Sequence, residues 1–203
     1  VTGFPDLLIQ QEVVPVENKA AVDAALEKIR VSDKLDISKT MAARVLVEKA
    51  KVVRLSDLAV DLMAQGNSVV AFFNFTDSLR EFTDLMACNY IDGSTHAKGR
   101  GPIIEDFNRR KTPACLALNL RAGGEGIDLH DTVGVPRVAL HNPTWSAQDF
   151  KQCLGRTHRV GGLSRAVQKV VYAAGTIEEN VMRAVSRKLA NIETLTDTDL
   201  SNY

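Results

Sequence analysis

Ser68-Val69-Val70-Ala71-Phe72-Phe73 is a six-residue run with one polar member. A strand wetted on one face alternates apolar and polar residues; a strand buried on both faces does not. This run therefore reads as an inner strand of a parallel sheet. Thr76-Asp77-Ser78 follows it and can cap a helix to about Cys88, because short side-chain oxygens accept the amide hydrogens a helix start leaves open. The same order recurs downstream. Tyr90–Asp92, Ala114–Asn119, Arg137–Asn142 and Val167–Ala174 read as strands. Gly101–Arg109, Ser146–Arg156 and Thr176–Leu189 read as helices, with Thr176 capping the last. Alternation of this kind implies βαβ units and a parallel sheet with helices on both faces. Ligands of such sheets bind at the carboxyl ends of the strands, so the loops after residues 73, 92, 119, 142 and 174 carry the interest.

Upstream the pattern is helical from residue 17 to 65. Val22, Ala25, Leu26 and Ile29 form one stripe, Met41, Val45 and Leu46 a weaker one, and Leu55, Leu58, Ala59, Leu62 and Met63 a third. Ser32–Ser38 reads as a break, Gly66 is placed to end the third helix, and the polar, acidic tail from Thr194 is expected to fray.

With 203 residues, 45% of them hydrophobic, the chain can build one sizeable core. Its 25 Lys and Arg balance 25 Asp and Glu, so overall charge does not point to nucleic acid and any such role must rest on local residues. Cys88, Cys115 and Cys153 form no CxxC pair and match no common zinc spacing; they read as reduced, partly buried thiols of an intracellular protein. No apolar run reaches the roughly 18 residues of a membrane helix. Val1–Asp6 lacks the basic and apolar regions of a signal peptide, and without an initiator Met the start is expected to be that of a processed or excised piece.

Two loops carry candidate chemistry. Asn119-Leu120-Arg121-Ala122-Gly123-Gly124-Glu125-Gly126-Ile127-Asp128-Leu129 holds three glycines in four residues. Such a loop permits close backbone approach to phosphate or ribose, and it equally serves as a tight connection without a ligand. Gln152-Cys153-Leu154-Gly155-Arg156-Thr157-His158-Arg159-Val160-Gly161 sets two arginines three apart, a spacing that shares one face of a helical turn. Paired guanidiniums clamp polyphosphate in fork geometry, or else hold carboxylates.

In combination these segments resemble a known family. Arg121–Leu129 resembles helicase motif V, and Gln152–Gly161 resembles motif VI of superfamily 2, in the form seen in the Swi/Snf-type branch. Asn142-Pro143-Thr144-Trp145-Ser146-Ala147-Gln148, Ile91-Asp92-Gly93-Ser94-Thr95, Val69–Phe75 (motif IV) and Gly175-Thr176-Ile177-Glu178-Glu179 resemble further segments of that branch. The likeness runs from about residue 49 to 190. It departs at Asn119, where the family usually has Ser or Thr, at Asp128, where Asn is frequent, and at Thr157, where Ala is usual.

The resemblance implies the second RecA-like lobe of an ATP-dependent DNA helicase or translocase, as residues 49–203, with 1–48 as linker and helical protrusion. It implies Arg156 and Arg159 as arginine fingers, with Gln152 orienting the γ-phosphate or water. Gly124, Gly126 and Asp128 would contact ATP, and Asn119, Arg121, Trp145, Asn74, Thr76, Ser94 and Thr95 the nucleic-acid backbone. Trp145 is equally suited to packing. Neither a phosphate loop nor an Asp-Glu-x-His or Asp-Glu-x-Asp motif is found, so the phosphates and Mg2+ are assigned to a missing N-terminal RecA-like lobe. DNA, duplex and not sequence-specific, is the implied partner, and no membrane. The implied setting is the cytoplasm of a bacterium or of a phage- or virus-infected cell, or a nucleus. No metal site is expected in the chain itself. His96, His130, His141 and His158 read as ordinary polar or structural residues, and Arg109-Arg110-Lys111 as a solvated loop or a DNA-facing patch. The alternative readings are a helicase-like lobe that has lost catalysis and serves as a binding platform, and a phosphate-binding α/β enzyme complete in one domain.

Overall fold

The computed structural model describes residues 7–16, 18–30, 37–122 and 127–184. Gly124 and Gly126, most of the expected break at 32–38, the end of the closing helix and the acidic tail lie outside the described residues.

Six parallel strands form one sheet in the order β1-β6-β5-β2-β4-β3. They are β1 (Leu7–Val13), β2 (Ser68–Phe73), β3 (Asn89–Ile91), β4 (Cys115–Asn119), β5 (Arg137–His141) and β6 (Ala166–Tyr172). The helices are α1 (Lys19–Arg30), α2 (Ile37–Ala50), α3 (Val52–Ala64), α4 (Thr76–Met86), α5 (Ala97–Arg109), α6 (Ala147–Thr157) and α7, described over 177–184. Every residue of β2 and β5 is buried, as the apolar runs require. One face of the sheet packs on α3 and α4 through Val69, Ala71, Phe73, Leu55, Leu79 and Phe82. The other packs through Val70, Phe72, Leu116, Leu118 and Ala139 on Phe107 of α5 and Cys153 of α6. Fully burying a side chain of this size contributes about 1.5–3 kcal/mol. Among the described residues no helix is long and apolar enough to cross a membrane.

The expected strands all form, and α3 buries its Leu55–Ala59–Leu62 stripe. Gly66 ends it at φ +91°: its N–H donates to Met63 O, and that of Asn67 to Leu62 O, which answers the carbonyls a helix end leaves open. Four local expectations fail. β1 was not foreseen; it lies in the segment read as linker and protrusion and pairs along its whole length with β6. On α2 the buried residues are Ala43, Val47 and Glu48, whereas Met41 is exposed. α5 begins at Ala97, four residues early, because His96 O already accepts the N–H groups of Gly99 and Arg100. At the start of α4 no side chain of Thr76-Asp77-Ser78 caps. The Glu48 carboxylate accepts the N–H groups of Asn74 and Phe75 instead, at 3.2 and 3.0 Å.

Glu48 belongs to a buried polar cluster beneath the strand ends. Burial pushes its carboxyl up to about 7. One turn on, the Lys51 ammonium is fully buried. Its three donors reach Asn142 Oδ1 (2.8 Å), Val171 O (2.9 Å) and Glu178 Oε2 (2.8 Å). Asn142 donates to Phe72 O, and Glu178 accepts the N–H of Ala173. The cluster thus ties the α2–α3 junction to the ends of β2, β5 and β6 and to α7.

Removing one member of a buried ion pair leaves the other charge uncompensated, at a cost of about 3–5 kcal/mol. Lys51→Met should lower stability by that amount in urea denaturation. A loss below about 1 kcal/mol would mean that Glu178 finds water when Lys51 is gone.

Candidate functional site

α6 carries most of the second motif, and its seating on the sheet places the site. Ser146 Oγ accepts the N–H of Asp149 and caps the helix. Phe150 meets the edge of His141 (5.4 Å between centroids), and His141 stacks on Phe72 (4.8 Å, 3° between planes). Gln168 Nε2 donates to Thr157 Oγ1 (2.6 Å) and Leu154 O (3.1 Å), so its Oε1 faces His141 Nε2 at 2.6 Å. Nε2 must therefore carry the hydrogen, and burial pulls the imidazole down to about 4, keeping it neutral. Thr157, which departs from the family's usual Ala, supplies the acceptor that docks the last turn of α6 onto β6.

Gln152, Arg156, Arg159 and Asp128 line one cavity of about 530 Å³, together with Lys151 and Gly155. A Cβ added at Gly155 would meet nothing within 4 Å, so the wall is open there. The arginines converge, but not as two positions of one helix face. α6 ends at Thr157, and His158 is already extended (φ −115°, ψ 101°), so Arg159 leaves the helix and returns to the cavity by its own path. Its Nε donates to Asp128 Oδ1 at 2.9 Å, both side chains about half exposed. Arg156 is buried; its Nη1 donates to Ile127 O (3.3 Å), and its carbonyl accepts the N–H of Leu129 (2.8 Å). The segment from Ile127 to Leu129 is thereby fixed to the arginine pair. Two guanidiniums and a lysine around an open wall suit an anionic, phosphate-bearing ligand.

A second groove, of about 370 Å³, opens at the carboxyl ends of the adjacent strands β5, β2 and β4. The chain crosses there from one side of β2 to the other, the switch point at which such sheets bind ligands. Of the expected strand-contact residues, Asn74, Arg121 and Trp145 line it, beside Asp149. Trp145 is 37% exposed there. Asn74 Nδ2 is engaged inward, with Glu48 (2.7 Å) and Pro143 O (3.0 Å). Thr76, Ser94, Thr95 and Asn119 line neither cavity. The Ser94 and Thr95 hydroxyls donate to Asp92 Oδ1 (2.6 and 3.2 Å), and this hydrogen bonding holds the Asp92 carboxyl below its ordinary value. Asn119 Oδ1 accepts the N–H of Arg121. Arg109 and Arg110 pair along α5 with Glu105 and Asp106.

Arg44 of α2 also faces the groove, a residue the sequence reading did not single out. Its guanidinium lies over the Phe75 ring at 5.5 Å, and burial pulls it below its ordinary value against the charges of Glu48 and Glu178. Nothing in the weak α2 stripe marks it; only the docking of α2 brings it to the strand ends.

This sheet order, with an arginine cavity beside an open groove at the strand ends, defines a RecA-like lobe of the helicase type. The family model described as the helicase conserved C-terminal domain matches residues 50–161. The chain belongs to that family, as a Swi/Snf-type C-terminal lobe of superfamily 2. It is 31% identical over 192 residues to a putative ATP-dependent RNA helicase of Acanthamoeba polyphaga mimivirus, covering 92% of this chain and 35% of the relative. It is 27% identical over 180 residues to the chromatin-remodelling ATPase INO80 of Saccharomyces cerevisiae, covering 86% of this chain and 12% of that protein. The chain thus spans about a third or less of the length of these relatives. The C-terminal part of the Fun30 ATPase domain shares the fold at a TM-score of 0.63 and 14% identity, covering 90% of each chain. The Sulfolobus solfataricus SWI2/SNF2 ATPase core in complex with dsDNA shares it at 0.69 and 15%, covering 90% of this chain and 44% of that one.

Because His141 is neutral when folded and ordinary when unfolded, the unfolded state takes the proton first. Its contribution to stability is complete above about pH 6.5 and declines as pH falls towards 4. In NMR titration the His141 ring should keep the signature of the neutral Nε2–H form at pH 5.5. A midpoint near 6.5 would contradict the docking geometry.

Proposed function

We propose that the chain is the second motor lobe of an ATP-dependent DNA helicase or translocase, and that the 530 Å³ cavity is its half of the ATP cleft. The observation that carries this reading is the convergence of Arg156, Arg159 and Asp128 on this cavity. A half-exposed ion pair such as Arg159–Asp128 is worth only about 0–1 kcal/mol, so a phosphate can take the guanidinium from the carboxylate. Asp128 would then turn to the ribose, with Gly124 and Gly126 offering backbone contacts. Arg156 and Arg159 would stabilise charge on the transferring phosphoryl, an effect of roughly 10³–10⁵ in rate. Gln152, exposed on the same wall, would orient the γ-phosphate or the attacking water. ATP with Mg2+ supplies the driving force. The cation-lined cavity suits the phosphates and not the metal, which is assigned to the N-terminal lobe together with the phosphate loop. The isolated chain would accordingly be inactive.

The 370 Å³ groove would take the sugar–phosphate backbone, with Arg121 and Trp145 on its walls. Asn119, Asn74, Thr76, Ser94 and Thr95 lie at or just beyond the carboxyl ends of β4, β2 and β3 and would add contacts to the same backbone. We add Arg44 to this set. Contacts of this kind read charge and not sequence, so binding would be non-specific and salt-sensitive. Duplex DNA is favoured by the dsDNA bound to the Sulfolobus core. Residues 49–203 would form the lobe, with 1–48 attached as its linker and protrusion and β1 extending its sheet. Such a motor works where the nucleic acid is, in the cytoplasm or a nucleus.

ATP hydrolysis by the full-length protein should rise on adding duplex DNA, and Arg156→Ala should cut the stimulated rate by about 10³ or more. Unchanged turnover would remove the finger assignment, and full-length protein that hydrolyses no ATP would favour the binding-platform reading. Arg44→Ala should lessen the slope of log binding constant against log salt by about 0.9, the value of one phosphate contact on B-DNA. An unaltered slope would take Arg44 out of the interface while leaving the rest in place.

A further inference from the structure

Away from both cavities, at the amino end of the sheet, a third cavity of about 280 Å³ opens between α3, α4 and α5. Cys88 and Cys115 line it, with Met63 and Met86 beside them. Parallel pairing of Asn89 with Leu116 sets Cys88, one residue before β3, against Cys115 at the start of β4. Both thiols are free and half-buried, and both pack on the α3–α4 side of the sheet. Neighbouring strands lie about 4.8 Å apart, inside the Cα window of about 4.4–6.8 Å that a disulfide requires. The third cysteine, Cys153, is buried against the opposite face.

We propose that Cys88 and Cys115 are a dithiol modification site that closes to an intrachain disulfide by exchange with a small disulfide oxidant entering this cavity. The Cys115 thiol donates its hydrogen to Cys88, which holds Cys88 below the ordinary thiol value and pushes Cys115 well above it. Cys88 is therefore the attacking thiolate and Cys115 the resolving thiol. The Cys88 sulfur attacks one sulfur of the oxidant, forming a mixed disulfide and expelling the first small thiolate. That thiolate takes the Cys115 proton. Cys115 then attacks the Cys88 sulfur and expels the second thiolate, which is protonated by water. The two protein thiols lose two electrons and two hydrogens, and the oxidant leaves as two thiols. Burial pushes Cys153 up to about 12, so it stays outside the exchange and serves as an internal control.

The test is incubation of the purified protein across glutathione buffers of increasing glutathione disulfide content, followed by alkylation and peptide mass mapping. Two of the three thiols should vanish in one transition, with a mass loss of two hydrogens and a cross-linked peptide pair containing Cys88 and Cys115. Cys115→Ser should stop at glutathione attached to Cys88, and Cys88→Ser should leave Cys115 unmodified. Wild-type protein that keeps all three thiols, accumulates the mixed disulfide without closing, or cross-links through Cys153 would overturn the proposal. The mapping of the wild-type protein decides the matter even if a variant fails to fold.

Discussion

The buried ammonium of Lys51 is the constraint on which the arrangement of this lobe turns. Placing a charge where no water reaches is costly unless every donor is met. Here three acceptors come from three places: Asn142 after β5, Val171 in β6 and Glu178 in α7. Those acceptors converge only if the helices before β2 and the helix after β6 close on the sheet together. Glu48 extends the same logic to β2, since its carboxylate meets the N–H groups that start α4. The carboxyl ends of the inner strands are thus positioned by polar groups, while their lengths are positioned by apolar packing.

This division explains how much could be read from the residues. The strands and most helices were legible because each writes its burial into a local period: the unbroken apolar run of β2, the Leu55–Leu62 stripe, the Gly66 stop. That the arginines and Asp128 come together at one cavity was legible because their segments join a special composition to a special order. What was missed depends on distant partners. Glu178 and Glu179 both stand at the start of the closing helix; Glu179 accepts the N–H of Gly175 there, whereas Glu178 answers a lysine 127 residues earlier in the chain. β1 lies at the edge of the sheet and is exposed or half-buried at residues 8–13, so its strong reason to be a strand is β6. Arg137, at the other end of the sheet, is buried over the Phe107 ring at 4.6 Å, and a lone arginine at a strand start carries no local sign of that.

Thr157 shows a departure from a family pattern explained by its surroundings. A hydroxyl placed at a helix end against a sheet needs a partner, and Gln168 provides one at 2.6 Å. Gln168 in turn fixes the tautomer of His141, and His141 seats Phe150. The orientation of α6, and with it the direction of Gln152 and Arg156, follows from this buried relay as much as from the helix's apolar face.

The two cavities are joined by one short stretch of chain. Arg121 stands in the groove and Asp128 in the arginine cavity, with only residues 122–127 between them. Both ends of that stretch are pinned from outside it. Arg100 Nη1 donates to Ala122 O, and Arg156 Nη1 donates to Ile127 O. A displacement of Arg159 from Asp128 by phosphate would therefore act on a segment whose far end is the groove wall, with few residues to absorb the change. On the proposed motor reading, nucleotide and nucleic acid would be connected through this short stretch.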